Sequence, residues 1–186
     1  MTIDLSGSLR RIKSDKRRSQ IATRPRDKLV AAADVAGTGR AALLLDTNVY
    51  IQSAAGMLPS AAAALVDRGL LFHCSVCVAE LATGVGNADP ARTGWKAIRD
   101  HYDALIANIP ETRLLTPDAE IWAEAGVIAG TLARCQGYQR HQRKECLNDA
   151  LIYLTAAKAG LPVLTANRGE FDLIQQLVPS GRFIHF

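Results

Sequence analysis

AALLLDTNV, residues 41–49, is the stretch whose reading decides the fold. Its first five residues, Ala41–Leu45, are an unbroken apolar run of strand length. A strand apolar at every position is one covered on both faces. Asp46, Thr47 and Asn48 follow, residue types that cap helices, so a helix is expected to start near Val49. A doubly covered strand that passes directly into a helix points to a parallel sheet with helices against it.

The rest of the chain repeats that alternation. Pro59 opens a helix to about Arg68, and a strand is expected near Leu70–His73. A helix capped by Ser75 runs to about Val85, stopped near Gly86 and Asn87. Pro90 to about Ala107 reads as a helix, with Trp95, Ile98, Tyr102 and Leu105 at spacings of three and four. After a strand at Arg113–Leu115, Pro117 takes the first position of a long helix reaching Arg134. Trp95 and Trp122 sit at core spacing and are read as packing residues. Gly137–Lys144 is expected to be a basic loop, and Asn148–Ala159 a helix stopped by Gly160. A strand at Pro162–Thr165, a helix at Glu170–Leu177 and a strand at Arg182–His185 complete the chain. The fold class is α/β, three layers with a central parallel sheet. In that architecture ligands gather at the carboxyl ends of the strands.

Composition narrows the function classes. The chain has 186 residues, 48% hydrophobic and 22% charged, enough for one domain with a real core. No apolar run approaches the ~20 residues of a membrane span, and residues 1–30 are too polar and basic for a secretory signal. The four cysteines (Cys74, Cys77, Cys135, Cys146) are too sparse for a disulfide scaffold, so a reducing cytoplasm is expected. Cys74 and Cys77 have the spacing of half a zinc site, but nothing completes a tetrahedral cage, and burial as small apolar residues is the better reading. Residues 1–40 hold ten Lys/Arg against four Asp, a charge of +6; the other 146 hold twelve basic and fourteen acidic residues, or −2. The chain is therefore divided into a basic N-terminal arm, 1–40, and a domain, 41–186. The arm ends in the hinge Gly37-Thr38-Gly39. It is flexible or carries a short helix on Leu5, Leu9 and Ile12, with Pro25 interrupting any longer one. It has no aromatic residue for stacking, so any hold on a polyanion would be electrostatic.

Three acids stand in apolar surroundings: Asp46 at the end of its strand, Glu80 in SVCVAELATGV and Asp149 in NDALIYLTAAKAG. Each has an ordinary explanation alone. Asp46 serves as a helix cap, Asp149 complements a helix dipole, and Glu80 pairs with an arginine on a helix surface. Together they conflict, because carboxylates converging in a low-polarity cleft repel by about 4 kcal/mol per pair at ~4 Å. A divalent cation with oxygen ligands relieves that conflict.

The blocks LLLDTNVYI (43–51), SVCVAELATGV (75–85), NDALIYLTAAKAG (148–160) and VLTANRGEF (163–171) resemble the PIN-domain ribonucleases, in particular VapC-type toxins of bacterial toxin–antitoxin modules. The resemblance covers residues 41 to about 180. It implies an acidic pocket binding Mg²⁺ or Mn²⁺, with Asp46, Glu80 and Asp149 as catalytic metal ligands and Asn167 at the last ligand position. Thr47, Asn48, Thr165 and Glu170 then shape the pocket. The basic run Arg140, Arg143 and Lys144, with Arg168, is the candidate set for holding RNA phosphates. The neutral Asn167 implies weaker retention of a second metal. Water attack in line would leave a 5′-phosphate and a 3′-hydroxyl. The partners implied are an RNA substrate, a small antitoxin protein and a second copy of the chain, with no membrane. Two rival readings remain open: a catalytically inert PIN-like binding module, and a phosphatase-like hydrolase with Asp46 as nucleophile. The second normally wants another Asp two residues on, where Asn48 stands.

Overall fold

The computed structural model describes residues 3–37 and 39–186. Five strands, β1 (Ala42–Leu45), β2 (Leu70–Cys74), β3 (Leu114–Leu115), β4 (Pro162–Thr165) and β5 (Arg182–His185), form one parallel sheet in the order β3-β2-β1-β4-β5. Leu43 and Leu44 point to opposite faces and are both fully buried, so both faces are covered, as the apolar run requires. Leu45 pairs with Leu164, which sets the carboxyl ends of β1 and β4 side by side at the centre of the sheet.

The helices are α1 (Leu5–Ile12), α2 (Ala32–Val35), α3 (Thr47–Ala54), α4 (Ser60–Arg68), α5 (Ser75–Asn87), α6 (Trp95–Ala107), α7 (Ala119–Gln136), α8 (Arg140–Lys158) and α9 (Arg168–Leu177). The α7–α8 hairpin supplies Ile128, Leu132, Leu151, Ile152 and Tyr153 to the core, where Phe171 of α9 meets Tyr153 edge-on. Among the described residues no helix is long and apolar enough to cross a membrane.

Several elements differ from expectation. The basic loop at Gly137–Lys144 is the start of α8. Gly137, at φ 70°, ends α7, and after Tyr138 and Gln139 a new helix begins, its cap closed by the Gln142 side chain accepting from the Gln139 backbone N–H at 2.8 Å. Asp149 therefore lies in mid-helix, where the dipole does not explain it. α7 begins at Ala119, since Asp118 caps the Ile121 N–H at 2.9 Å and Pro117 stands outside. Cys74, not Ser75, is the residue before α5, and Asn167 caps an α9 two residues longer than expected. α6 starts only at Trp95, after Gly94 turns the chain at φ 92°, and none of its residues is fully buried. Ile98 and Trp122 are half exposed, whereas Tyr102 and Leu105, of the same expected stripe as Ile98, pack partly buried against the core.

The N-terminal segment is a wrap, not a free arm. Asp4 caps α1 by accepting from the Gly7 N–H at 2.7 Å, and α1 lies on α7 with Ile12 buried. Leu5 and Leu9 face out, so the docked stripe is Ser8 and Ile12 rather than the expected Leu5, Leu9 and Ile12. Polar anchors continue along the segment: Arg11 to Glu124 at 2.6 Å, Ser14 to Thr131 at 2.7 Å, and Arg134 to the carbonyls of Ser14 and Arg17. Arg24 then grips the fully buried Asp172 through its backbone N–H (2.7 Å) and Nε (2.5 Å). The Val30 carbonyl accepts from the His185 N–H at 3.0 Å and Ala31 bridges the same residue, covering the β5 edge. α2 ends beside α4, where Arg68 donates to the Ala36 carbonyl at 2.6 Å. Of the expected hinge, Thr38 lies outside the described residues, and Gly39 has φ 105°.

Candidate active site

The ends of β1 and β4 are stapled by the DTN turn. Asp46, 3% exposed, accepts from the Thr47 N–H at 2.7 Å, from the Thr165 hydroxyl at 2.6 Å and from the Asn48 amide. Asn48 also reaches Thr165 Oγ1 (3.2 Å) and accepts from the Ala166 N–H (2.8 Å), while the Asn167 N–H donates to Thr165 Oγ1 at 2.8 Å. Asp46 is thus both the helix cap that the sequence allows and a buried carboxylate aimed at the sheet end.

Two more carboxylates join it from helices. Glu80 of α5 accepts the Thr47 hydroxyl on Oε2 and the Asn148 amide on Oε1, the latter at 2.7 Å, and among the described residues it pairs with no arginine. Asp149, the next residue of α8, accepts from Asn167 Nδ2 at 2.8 Å. Burial pushes the Asp46 carboxyl up to about 6, with the Glu80 charge adding to it against the opposing hydrogen bonds from Thr165, Thr47 and Asn48. Asp149 is raised well above its usual range, first by burial, then by the charges of Asp46, Glu170, Glu80 and Glu145. Glu170 adjoins this group and accepts from the Tyr138 hydroxyl at 2.7 Å. Its Oε1 is buried without a partner among the described residues.

No Lys, Arg or His forms an ion pair with Asp46, Glu80, Asp149 or Glu170 among the described residues. Nor are any three described His, Cys, Asp or Glu side chains closed into a ready metal cage. Neutral donors, namely Thr47, Asn148, Asn48, Thr165 and Asn167, hold the carboxylates instead. The donor set is nonetheless all oxygen and carries uncompensated negative charge, which suits Mg²⁺ or Mn²⁺.

The basic candidates separate. Arg140 lies nine residues before Asp149 on α8, about 180° around the helix from it, and Arg143 and Lys144 are turned ~120–140° away. Arg143 donates to the Tyr138 carbonyl at 3.0 Å. Arg168 alone of the four directly follows a pocket residue, Asn167. Asn148 and Tyr138 were not among the candidates read from the sequence. The Asn-Asp pair at 148–149 was the available signal, and it read as a helix start.

Asn167 holds Asp149 through a neutral amide, so Asn167→Asp sets two carboxylates against each other. Calorimetry is expected to show tighter Mn²⁺ binding by this variant, and thermal melts in EDTA a lower melting temperature. Unchanged melting would show that residue 167 does not act on Asp149.

Comparison with known proteins agrees with this geometry. A model of the PIN domain matches residues 43–176, most of the chain. No curated protein matches the sequence. Among solved structures, the chain is similar to FitAcB from Neisseria gonorrhoeae (TM-score 0.55, 22% identity, 77% of this chain and 96% of that one). It is also similar to VapBC2 from Rickettsia felis bound to a promoter DNA fragment (0.53, 17%, 77% and 98%). A third is VapBC-5 from Mycobacterium tuberculosis, a member of the VapBC family of toxin-antitoxin systems (0.51, 24%, 78% and 99%). At these identities the likeness is one of fold. With a parallel five-stranded sheet, an acidic pocket at its carboxyl end and a family match across 43–176, the chain belongs to the PIN domain family.

Proposed function

We propose that this chain is a metal-dependent endoribonuclease and the toxin of a toxin–antitoxin pair acting in the cytoplasm. The observation that carries the reading is the convergence of Asp46, Glu80 and Asp149 from β1, α5 and α8 with no ion-paired cation among the described residues. PIN-family membership and the fold likeness to VapBC and FitAcB structures support it.

Asp46, Glu80 and Asp149 would hold the Mg²⁺ or Mn²⁺, joined by Asn167 Oδ1 if its amide turns from the present arrangement, in which Nδ2 donates to Asp149 and Oδ1 caps α9. When bound, such an ion activates water and neutralises charge on the scissile phosphate. The protein's own part is positional. Thr47 and Asn148 fix the Glu80 carboxylate, and Asn48 and Thr165 fix Asp46. Asp149 orients the attacking water and takes its proton. The new P–O bond forms as the P–O3′ bond breaks, leaving a 5′-phosphate and a 3′-hydroxyl. A small antitoxin that lays an Arg or Lys among the same carboxylates competes with the metal and silences the enzyme. The active unit is proposed to be a homodimer.

The test is cleavage of a structured RNA by the purified, partner-free chain in Mg²⁺, Mn²⁺ and EDTA, with the new ends identified. Cleavage confined to the metal-containing reactions, with 5′-phosphate ends, is expected. Cleavage that survives EDTA sinks the mechanism, and no cleavage in either metal sinks the activity.

A further inference from the structure

On the β5 side of the pocket lies a second set of polar groups that the carboxylate network does not use. His185 ends β5 in register with Thr165, the residue whose hydroxyl holds Asp46. Residues paired across parallel strands face the same side of the sheet, so the imidazole stands on Thr165's side, one strand spacing of ~4.8 Å away. His185 is 7% exposed, and its Nε2 is buried with no hydrogen-bond partner among the described residues. Buried polar atoms are almost always partnered, so this one calls for a missing group.

Two cations flank it. Arg168 opens α9 directly after Asn167, and Arg26 comes from the N-terminal wrap, four residues before the Val30 carbonyl that holds the His185 N–H. Both guanidiniums are near enough to lower the pKa of His185, after the larger effect of its burial, while Asp34 opposes them. Asp34 is itself occupied in part, accepting from the Ala31 N–H at 2.9 Å. Neither Arg26 nor Arg168 has a side-chain partner among the described residues, whereas Arg11 and Arg24 of the same wrap are tied to Glu124 and Asp172. Unspent guanidiniums next to an uncompensated acidic pocket are what a polyanion needs to approach it, and their planar donors match phosphate oxygens.

We propose that Arg168, Arg26 and His185 Nε2 form a phosphate subsite beside the carboxylate pocket, which holds the backbone of single-stranded RNA next to the scissile bond. The inference deepens the nuclease reading and rests on it. It also gives the basic segment a localised role: the wrap presents one chosen cation, Arg26, at the pocket rim.

The test is fluorescence anisotropy of a labelled, mixed-sequence single-stranded RNA 20-mer with the full chain in EDTA, over a KCl series. It is run beside the metal-dependent cleavage assay of the parent. Losing one phosphate contact to a single strand lowers the slope of log K against log salt by about 0.7. That loss is expected for the double variant Arg26→Ala/Arg168→Ala, with a smaller one for each single variant. Arg10→Ala removes the same charge from α1, which lies against the far end of α9 near Val178 and Pro179, and is expected to keep the parental slope. If the parent cleaves RNA but the double variant keeps its slope, the subsite is overturned and the nuclease reading stands. If Arg10→Ala lowers the slope as much, the attraction is diffuse and the subsite is again overturned. If the parent neither binds nor cleaves RNA, both fall.

Discussion

Asp149→Asn is expected to leave RNA uncut and, in EDTA at pH 8, to melt at a higher temperature than the parent. Removing the proton acceptor costs roughly 10³-fold or more in rate. The gain in stability comes from the same charge. Folding places the Asp149 carboxylate in a buried setting against Asp46, Glu170, Glu80 and Glu145, which lifts its pKa above the unfolded value. Between those two values the native state binds the extra proton, so stability falls as pH rises through the window, and the full penalty stands above the folded pKa. The variant and the parent should therefore melt together near pH 4 and diverge towards pH 8. The asparagine keeps an acceptor for Asn167 Nδ2, so no hydrogen bond is lost. Asp46 behaves alike in sign: its rise from 3.8 to about 6 corresponds to about 3 kcal/mol lost across that interval. Asp46→Asn nonetheless forgoes the benefit, because its new N–H₂ would face the Asn48 amide donor. Added Mg²⁺ should raise the melting temperature of the parent more than that of Asp149→Asn. Identical melts at pH 8 would show that residue 149 carries no charge penalty.

Arg24→Ala is expected to cost about 2–3 kcal/mol in urea unfolding, less than the ~3–5 kcal/mol of a fully buried ion pair, because the Arg24 side chain is 36% exposed. Asp172 is 0% exposed and is held by the Arg24 backbone and guanidinium, with Gln176 more distant at 3.2 Å. Without the guanidinium a buried carboxylate keeps only neutral donors. Arg24→Ala/Asp172→Asn should recover a large part of the loss, since the stranded charge is gone. By comparison the exposed Arg99–Asp100 pair should contribute under about 1 kcal/mol. A cost below about 1 kcal/mol for Arg24→Ala would mean that the wrap is not anchored there.

What was legible in the sequence was what local chemistry decides. Three uniform leucines followed by Asp-Thr-Asn locate β1 and the pocket, and Arg182–His185 is the strand its apolar content implies. The convergence of Asp46, Glu80 and Asp149 was readable because like charges in apolar surroundings need a common reason. The failures involve partners far away in the chain. The spacing of Trp95, Ile98, Tyr102 and Leu105 reports a helix but not how deeply it is covered, and in α6 the cover is partial: Tyr102 and Leu105 pack against the core and Ile98 does not. Gln139 and Gln142 are unremarkable as cap residues, so the true start of α8 was invisible, and with it the mid-helix position of Asp149. Asn148 meets Glu80 across 68 positions, which no local pattern carries. The first 40 residues read as a flexible arm or a short helix, yet Ser14, Arg17 and Arg24 find anchors at Thr131, Arg134 and Asp172, all far along the chain.

That wrap dictates an order of events during synthesis. Arg24 leaves the ribosome 148 positions before Asp172, and Val30 long before His185. At ~5–20 residues per second, the segment that seals the sheet edge waits roughly ten to thirty seconds for its seat. Seating of Arg24 and Val30 is consequently later than the docking of α1 on α7, and such distant pairings form slowly. A nascent chain halted before Asp172 leaves its basic leading segment without the seat at that carboxylate and without the β5 edge.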